Sequence, residues 1–323
     1  MSHTKTSVAK AHDGLAERLF DKATVACARL DEDDAEALHD FRVALRRLRT
    51  HLETHKEYLG RRRANKMRRS LSKVVSATNT SRDFEVQREW IGQQMGNERV
   101  SQMQREGLKL ILTEFYGNGQ NGTSRSELEP IKSRFAKIGD KFTQRRWSIP
   151  ESSAGSNAGI VPVTRAALLK HAAKLRDQLG QIESVDSVRA THRARLALKR
   201  LRYILEPLAK IIPDARDLFI EFKTMQDTLG SLRDLQILRM QISLAAGAAD
   251  QIEAWAAEDP GAADLATAVP SAKTLVEHKD ALEAGLEHVR AEAQREFDVL
   301  QERWLDGKAE SLIKRVEEIA DAL

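Results

Sequence analysis

The sequence predicts an all-α fold, internally duplicated into a pair of helical bundles, and three observations predict it. Apolar residues recur at three- and four-residue spacing along most of the chain, and no run of alternating β-branched residues is present to suggest strands. A stretch of the first half also returns in the second. His39–Glu53 (HDFRVALRRLRTHLE) set over His192–Glu206 (HRARLALKRLRYILE) gives nine identities in fifteen ungapped positions. A second echo follows at nearly the same offset, Ser81-Arg82-Asp83-Phe84 against Leu232-Arg233-Asp234-Leu235.

Each element follows from local chemistry. The acidic run Asp31–Asp34 precedes the first repeat and Glu183–Asp186 precedes the second, where negative charge complements a helix N-terminus. Phe41, Leu45, Leu48 and Leu52 form the apolar face of the first repeat helix. Gly117–Thr123 is a turn-rich loop, and a helix is expected from about Ser126 to Trp147 with Leu128, Ile131, Phe135, Ile138 and Phe142 facing inward. Between Pro150 and Pro162 almost nothing could enter a core, so residues 150–162 are expected to link a first bundle, 1–149, to a second, 163–323. About four helices per half make two four-helix bundles related by an approximate two-fold the economical architecture.

Composition narrows the function. The formal net charge is only +4, but from Arg42 to Arg82 thirteen Lys or Arg face two acids, Glu53 and Glu57, a local field that recruits anions. The single cysteine, Cys27, rules out an internal disulfide framework or a multi-cysteine metal site and sits among Ala and Val as a small apolar residue would. The N-terminus has no signal-peptide core, and no stretch approaches the roughly 18 apolar residues of a membrane span. A reducing, cytoplasmic setting without membrane contact is expected.

On a helix, His39, Arg42, Arg46 and Arg49 fall within an arc of about 80°, beside the apolar face. His192, Arg195, Lys199 and Arg202 make the same arc on the second helix, with Arg47 and Arg200 as further equivalent basic positions. Each stripe runs about 15 Å, enough to meet several charges of an extended anion. Arginine suits such a ligand because its planar fork donates two parallel hydrogen bonds to phosphate oxygens, while Lys supplies a compact charge and His a further donor. Arg134, Lys137, Lys141 and Arg145 form another basic stripe beside the face of the Ser126–Trp147 helix, whose counterpart around Phe297–Arg315 is diluted by acids.

One such stripe would ordinarily be a solvated helix face, but solubility does not require the same basic pattern twice. His39 and His192 read equally well as ligand-touching groups and as surface or capping histidines. Arg82-Asp83 and Arg233-Asp234 read best as ties between helices, and Arg61–Arg63 with Arg68-Arg69 as either a solvated or an interhelical cluster. Glu53 and Glu206, symmetric carboxylates on the stripe side, are expected to orient neighbouring arginines rather than to hold a metal.

HDFRVALRRLR and HRARLALKRLRYILE, each followed by an Arg-Asp segment, strongly resemble the CHAD family, the conserved histidine α-helical domain, over nearly the whole chain. The resemblance implies two pseudo-symmetric four-helix bundles enclosing a basic central groove or pore, binding of inorganic polyphosphate and, in some members, association with polyphosphate granules. It carries the family's basic-face positions onto His39, Arg42, Arg46, Arg49, His192, Arg195, Lys199 and Arg202. Leu229-Gly230 precedes the second Arg-Asp pair as is usual in the family, whereas the first half reads Thr78-Asn79-Thr80-Ser81.

Many relatives carry a fused triphosphate-processing domain. The ExExK pattern of such domains is absent from these 323 residues, as are HExxH, a phosphate-cradling glycine loop and a plausible Ser/His/Asp arrangement. The expectation is therefore a stand-alone, non-catalytic polyphosphate-binding protein with no cofactor or metal, and nucleic acid as a weaker competitor. The alternative, a nucleic-acid binder using the same groove, lacks aromatics near the stripes to stack bases and Asn or Gln readers among them. Oligomeric state is open at this level.

Overall fold

In the computed structural model every described element is a helix. The described residues are 2–30, 34, 36–116, 125–144, 147, 159–258, 274 and 276–323. In chain order the helices are α1 (Ser2–His12), α2 (Leu15–Arg29), α3 (Ala37–Thr54), α4 (Lys56–Leu59), α5 (Arg61–Ala77), α6 (Asn79–Met95), α7 (Gln102–Tyr116) and α8 (Arg125–Thr143), followed by α9 (Ile160–Leu179), α10 (Val188–Leu208), α11 (Pro213–Glu258), α12 (Lys279–Trp304) and α13 (Ala309–Ala322). The two repeat segments are α3 and α10. No helix among the described residues is long and apolar enough to cross a membrane.

Two breaks early in the chain rest on glycine. Gly14, at φ 59°, separates α1 from α2, and Gly60, at φ 84°, turns α4 into α5; a side chain at either position would be strained. Asp34 helps set the start of α3, since its carboxylate accepts the Glu36 backbone N–H at 2.9 Å while Arg29 donates to it at 2.8 Å.

One buried cluster is built from α2, α3, α5 and α8. Phe20 stacks on Phe142 at 4.2 Å between centroids, and Phe41 meets Phe135 edge-on at 5.0 Å. The faces expected on α3 and α8 are the ones buried, with Ile131, Phe135, Ile138 and Phe142 inward and Leu128 packed at the margin. Cys27 lies in this core as an apolar residue. Helix α8 ends at Thr143 instead of running to Trp147. Trp147 folds back on it: the indole N–H donates to the Phe142 carbonyl at 3.0 Å, the backbone N–H donates to Glu17 at 2.6 Å, and the Arg63 guanidinium covers the ring at 5.0 Å.

A second, larger cluster is built from α9 to α13, and it takes in residues from the first half: Val8 of α1, Ile91 of α6, and Leu108 and Ile111 of α7. Glycine makes the α7 docking possible. A β-carbon at Gly107 would stand 1.8 Å from the Ala281 carbonyl oxygen, so α7 and α12 cross backbone to backbone at Gly107 and Gly285. The cores therefore do not divide where the connector divides the chain. That connector is also shorter at its end than expected, because α9 starts at Ile160, which is buried. Pro162 sits in the first turn of α9, where its missing N–H would have had no helical partner. Residues 117–123 and 150–158 lie outside the described residues.

Candidate anion-binding site

Helices α3 and α10 pack against each other, and their repeat positions meet there. Arg47 of α3 forms an ion pair with Glu206 of α10 at 2.9 Å. The equivalent carboxylate, Glu53, takes Lys56 at 2.9 Å and Arg68 of α5 at 2.7 Å, with Arg200 of α10 close enough to act on it. Burial pushes the Glu53 carboxyl up, but the Lys56 hydrogen bond and the Arg68, Lys56 and Arg200 charges outweigh it and hold the group below its ordinary range. Both carboxylates thus pair with basic side chains, as the sequence suggested.

The cations are packed closely enough to repel one another. Arg49 is lowered from the ordinary arginine range by burial first, then by Arg68, Arg46 and Arg200. Arg202 is lowered chiefly by burial, with Arg47 acting in the same direction against Tyr203, Asp227 and Glu206. The influences are reciprocal: Arg200 acts on Arg49 and Glu53, while Arg47 acts on Arg202 and pairs with Glu206. The Nε groups of Arg49, Arg195 and Arg202 are shut from solvent with no hydrogen-bond acceptor among the described residues. A buried guanidinium N–H without an acceptor costs free energy on the order of 1–3 kcal/mol, which an anion placed against it would recover.

The remaining predicted residues are distributed as follows. Arg42 is buried, with 2% of its surface exposed. His39, Arg46 and Lys199 are half-buried, while His192 and Arg200 are exposed. The Arg195 guanidinium lies over Gly230 of α11, the glycine of the Leu229-Gly230 pair. Arg134, Lys137 and Lys141 stand exposed on the outer side of α8, and none of the charges acting on Arg49, Glu53 or Arg202 comes from that helix. Arg145, and the side chains of Arg82 and Asp83, lie outside the described residues.

Two neighbouring groups join the site that sequence reasoning did not include. Arg61, Arg62, Arg68 and Arg69 of α5 line, with Glu53 and Lys56, an open cleft of about 610 Å³. The dense basic run at 61–69 was the available signal. On α9, His171 faces Arg200; burial, then Arg200, Lys170 and Lys174, push its pKa down to about 4.

An all-helical protein that lays two like-patterned basic helices side by side, with guanidinium Nε groups that lack an acceptor among the described residues, is defined by that seam. The match to family models agrees: the CHAD domain model covers residues 15–243, and this chain belongs to the CHAD family. Among solved structures the chain is similar to the CHAD domain from the plant Ricinus communis, at 15% identity and a TM-score of 0.49, covering 88% of this chain and 91% of that one. No curated protein matches it.

Proposed function

We propose that this chain is a non-catalytic receptor for inorganic polyphosphate, held along the seam of α3 and α10. The CHAD family is linked to polyphosphate binding in general terms. The observation that carries the reading for this chain is the set of buried, acceptor-less Nε groups on Arg49, Arg195 and Arg202 among mutually repelling cations. Such an array is relieved by a ligand with many closely spaced negative charges, and each phosphate can take a two-pronged hydrogen bond from a guanidinium. His39, Arg42, Arg46, Arg47, His192, Lys199 and Arg200 complete the proposed contact surface. Arg134, Lys137 and Lys141 extend it only if a long chain wraps onto α8.

The reciprocal influences across the seam support an internal duplication with an approximate two-fold between α3 and α10. On that reading the chain is two bundle-like halves, 1–149 and 163–323, that exchange helices at their junction and enclose a basic central groove. A cytoplasmic receptor of this kind is suited to residence on polyphosphate granules. The paired state of Glu53 and Glu206 fits a binding role better than catalysis, since neither carboxylate is left to hold a metal beside the groove.

Nucleic acid is the competing ligand, because phosphodiester backbones answer to the same field. Calorimetric titration with long-chain polyphosphate, competed with DNA at equal phosphate concentration and at two salt concentrations, separates the two. The expected result is tight, salt-sensitive polyphosphate binding that DNA does not displace. Equal or better binding of DNA would overturn the assignment in favour of a nucleic-acid binder.

A further inference from the structure

Beside the seam, three histidines from separate parts of the sequence come together in the interior. His12 ends α1, His51 lies in the last turn of α3, and His55 follows α3 directly. Their exposures are 2%, 6% and 2%. One ring nitrogen from each lies within 4.8 Å of the others. The rings crowd together, His12 over His51 at 5.8 Å and over His55 at 4.8 Å, and His51 beside His55 at 4.6 Å between centroids.

Stacking alone does not account for the polar atoms. Both nitrogens of His12, and Nε2 of His51, are buried without a hydrogen-bond partner among the described residues. Buried polar groups are nearly always paired, and each orphan costs on the order of 1–3 kcal/mol. One ion could take a nitrogen of His12 together with Nε2 of His51, while the other His12 nitrogen carries the ring proton. His55 is already set in the manner of a metal ligand. Its Nδ1 lies 3.2 Å from the His51 carbonyl oxygen, which can only accept, so Nδ1 carries the proton and Nε2 holds the lone pair. Nε2 makes only a 3.3 Å contact, with the Thr164 hydroxyl.

We propose that His12, His51 and His55 form a binding site for one divalent late transition-metal ion of the zinc class. Imidazole nitrogen suits Zn²⁺, Ni²⁺, Cu²⁺ and Co²⁺ and suits Mg²⁺ or Ca²⁺ poorly. Metal–nitrogen bonds of about 2.0–2.1 Å in a tetrahedron hold their donors about 3.4 Å apart, so closure around an ion requires the rings to draw in by about an ångström. Their burial favours the neutral imidazole, the form that offers a lone pair.

An ion would reach the cluster from the His51 side. His51 also lines a small cleft of about 80 Å³, shared with Arg18, Lys22, Arg47, Glu206 and Lys210, from which a water or an anion can supply the fourth ligand. The Arg18 charge acts against a bound cation at His12 and His51, which makes this site weaker than one backed by a carboxylate. The bound ion would tie the end of α1 to the end of α3, and so the N-terminal helix to the anion-binding seam. The proposal does not depend on the polyphosphate reading.

The test uses the full chain stripped with a chelator, in the absence of polyphosphate. Titration with Zn²⁺ should show one ion per chain with half-saturation below about 10 µM, and Co²⁺ should give a visible d–d spectrum of a nitrogen-rich tetrahedral or five-coordinate site. His12→Gln and His51→Gln should each weaken binding at least 10-fold with helicity unchanged, while His278→Gln leaves it intact. If these variants fail to fold, X-ray absorption of the zinc-loaded wild-type chain decides, with three imidazole nitrogens around the ion expected. Failure of the folded wild-type chain to bind, binding indifferent to His12 and His51, or a zinc shell with fewer than three imidazoles would each overturn the proposal.

Discussion

Helices α3 and α10 carry the same pattern at the same offsets, yet the fold treats them differently. On α3, Arg42 is 2% exposed and His39 half-buried; on α10, the equivalent Arg195 is half-buried and His192 exposed. Arg47 is committed to Glu206, whereas Arg200 faces solvent because Arg68 and Lys56 already occupy Glu53. The difference comes from what lies beside each helix. α3 is enclosed by α2, α5 and α10, and α5 brings its own basic residues to the seam. α10 is backed by α9 and α11, which leave its basic edge more open. A duplicated motif therefore brings equivalent residues to the seam, while the neighbouring helices decide whether a given arginine is left open or drawn into the fold.

The largest effect is expected where the two helices behave alike. Arg49 and Arg202 are equivalent, both buried enough to be lowered, and both carry an acceptor-less Nε. Hydrogen bonds to charged groups are worth about 1.5–3 kcal/mol each, so Arg49→Ala with Arg202→Ala should weaken polyphosphate binding roughly 100-fold or more. Calorimetry against the wild-type chain measures it, with circular dichroism to show that helicity is retained. A loss under about 5-fold would mean that these two arginines belong to the interior and not to the ligand.

The asymmetry itself predicts the next effect. Arg42→Ala empties a buried position and should cost about 1–3 kcal/mol of stability, whereas Arg195→Ala, half-buried over Gly230, should cost under about 1 kcal/mol while still weakening binding. Urea unfolding of the two variants reads the contrast. Equal losses of stability would show that the burial difference carries no energetic weight.

Much of this was legible in the sequence, for physical reasons. The apolar spacing of α3 and α8 fixed their buried faces, and the repeated His-x-x-Arg stripe marked the helices that form the seam, because both are local, periodic properties. What escaped depended on encounters between distant segments. The end of α8 was set by Trp147 finding Phe142 and Glu17, and the docking of α7 on α12 by the meeting of Gly107 with Gly285. The three-histidine cluster needed α1 to reach α3; only His51 and His55, four residues apart in the sequence at the end of α3, left a local trace. Arg61, Arg62 and Arg68 were visible as charge, but only the turn at Gly60 brings them to the seam.

The smallest effect sharpens the comparison through a proton. His171 on α9 is held near pKa 4 by burial and by Arg200, Lys170 and Lys174, so at neutral pH it is uncharged; its Nδ1 is buried without a partner among the described residues. In the unfolded chain it titrates near 6.5, so its contribution to stability is fully present above that pH and is lost as pH falls from about 6.5 toward 4. A polyanion resting against Arg200 cancels part of the repulsion and raises the folded pKa. Binding below about pH 6 should then take up protons, and affinity should rise by a few-fold between pH 7 and 5.5. Titration in two buffers of different ionisation enthalpy counts the protons taken up. His171→Gln should flatten the dependence with little change in affinity at pH 7. An undiminished proton uptake in His171→Gln would mean that the linkage resides in another histidine, His39 or His192 of the stripes or His51 in the cleft it shares with Arg47, and not in the pairing of His171 with Arg200.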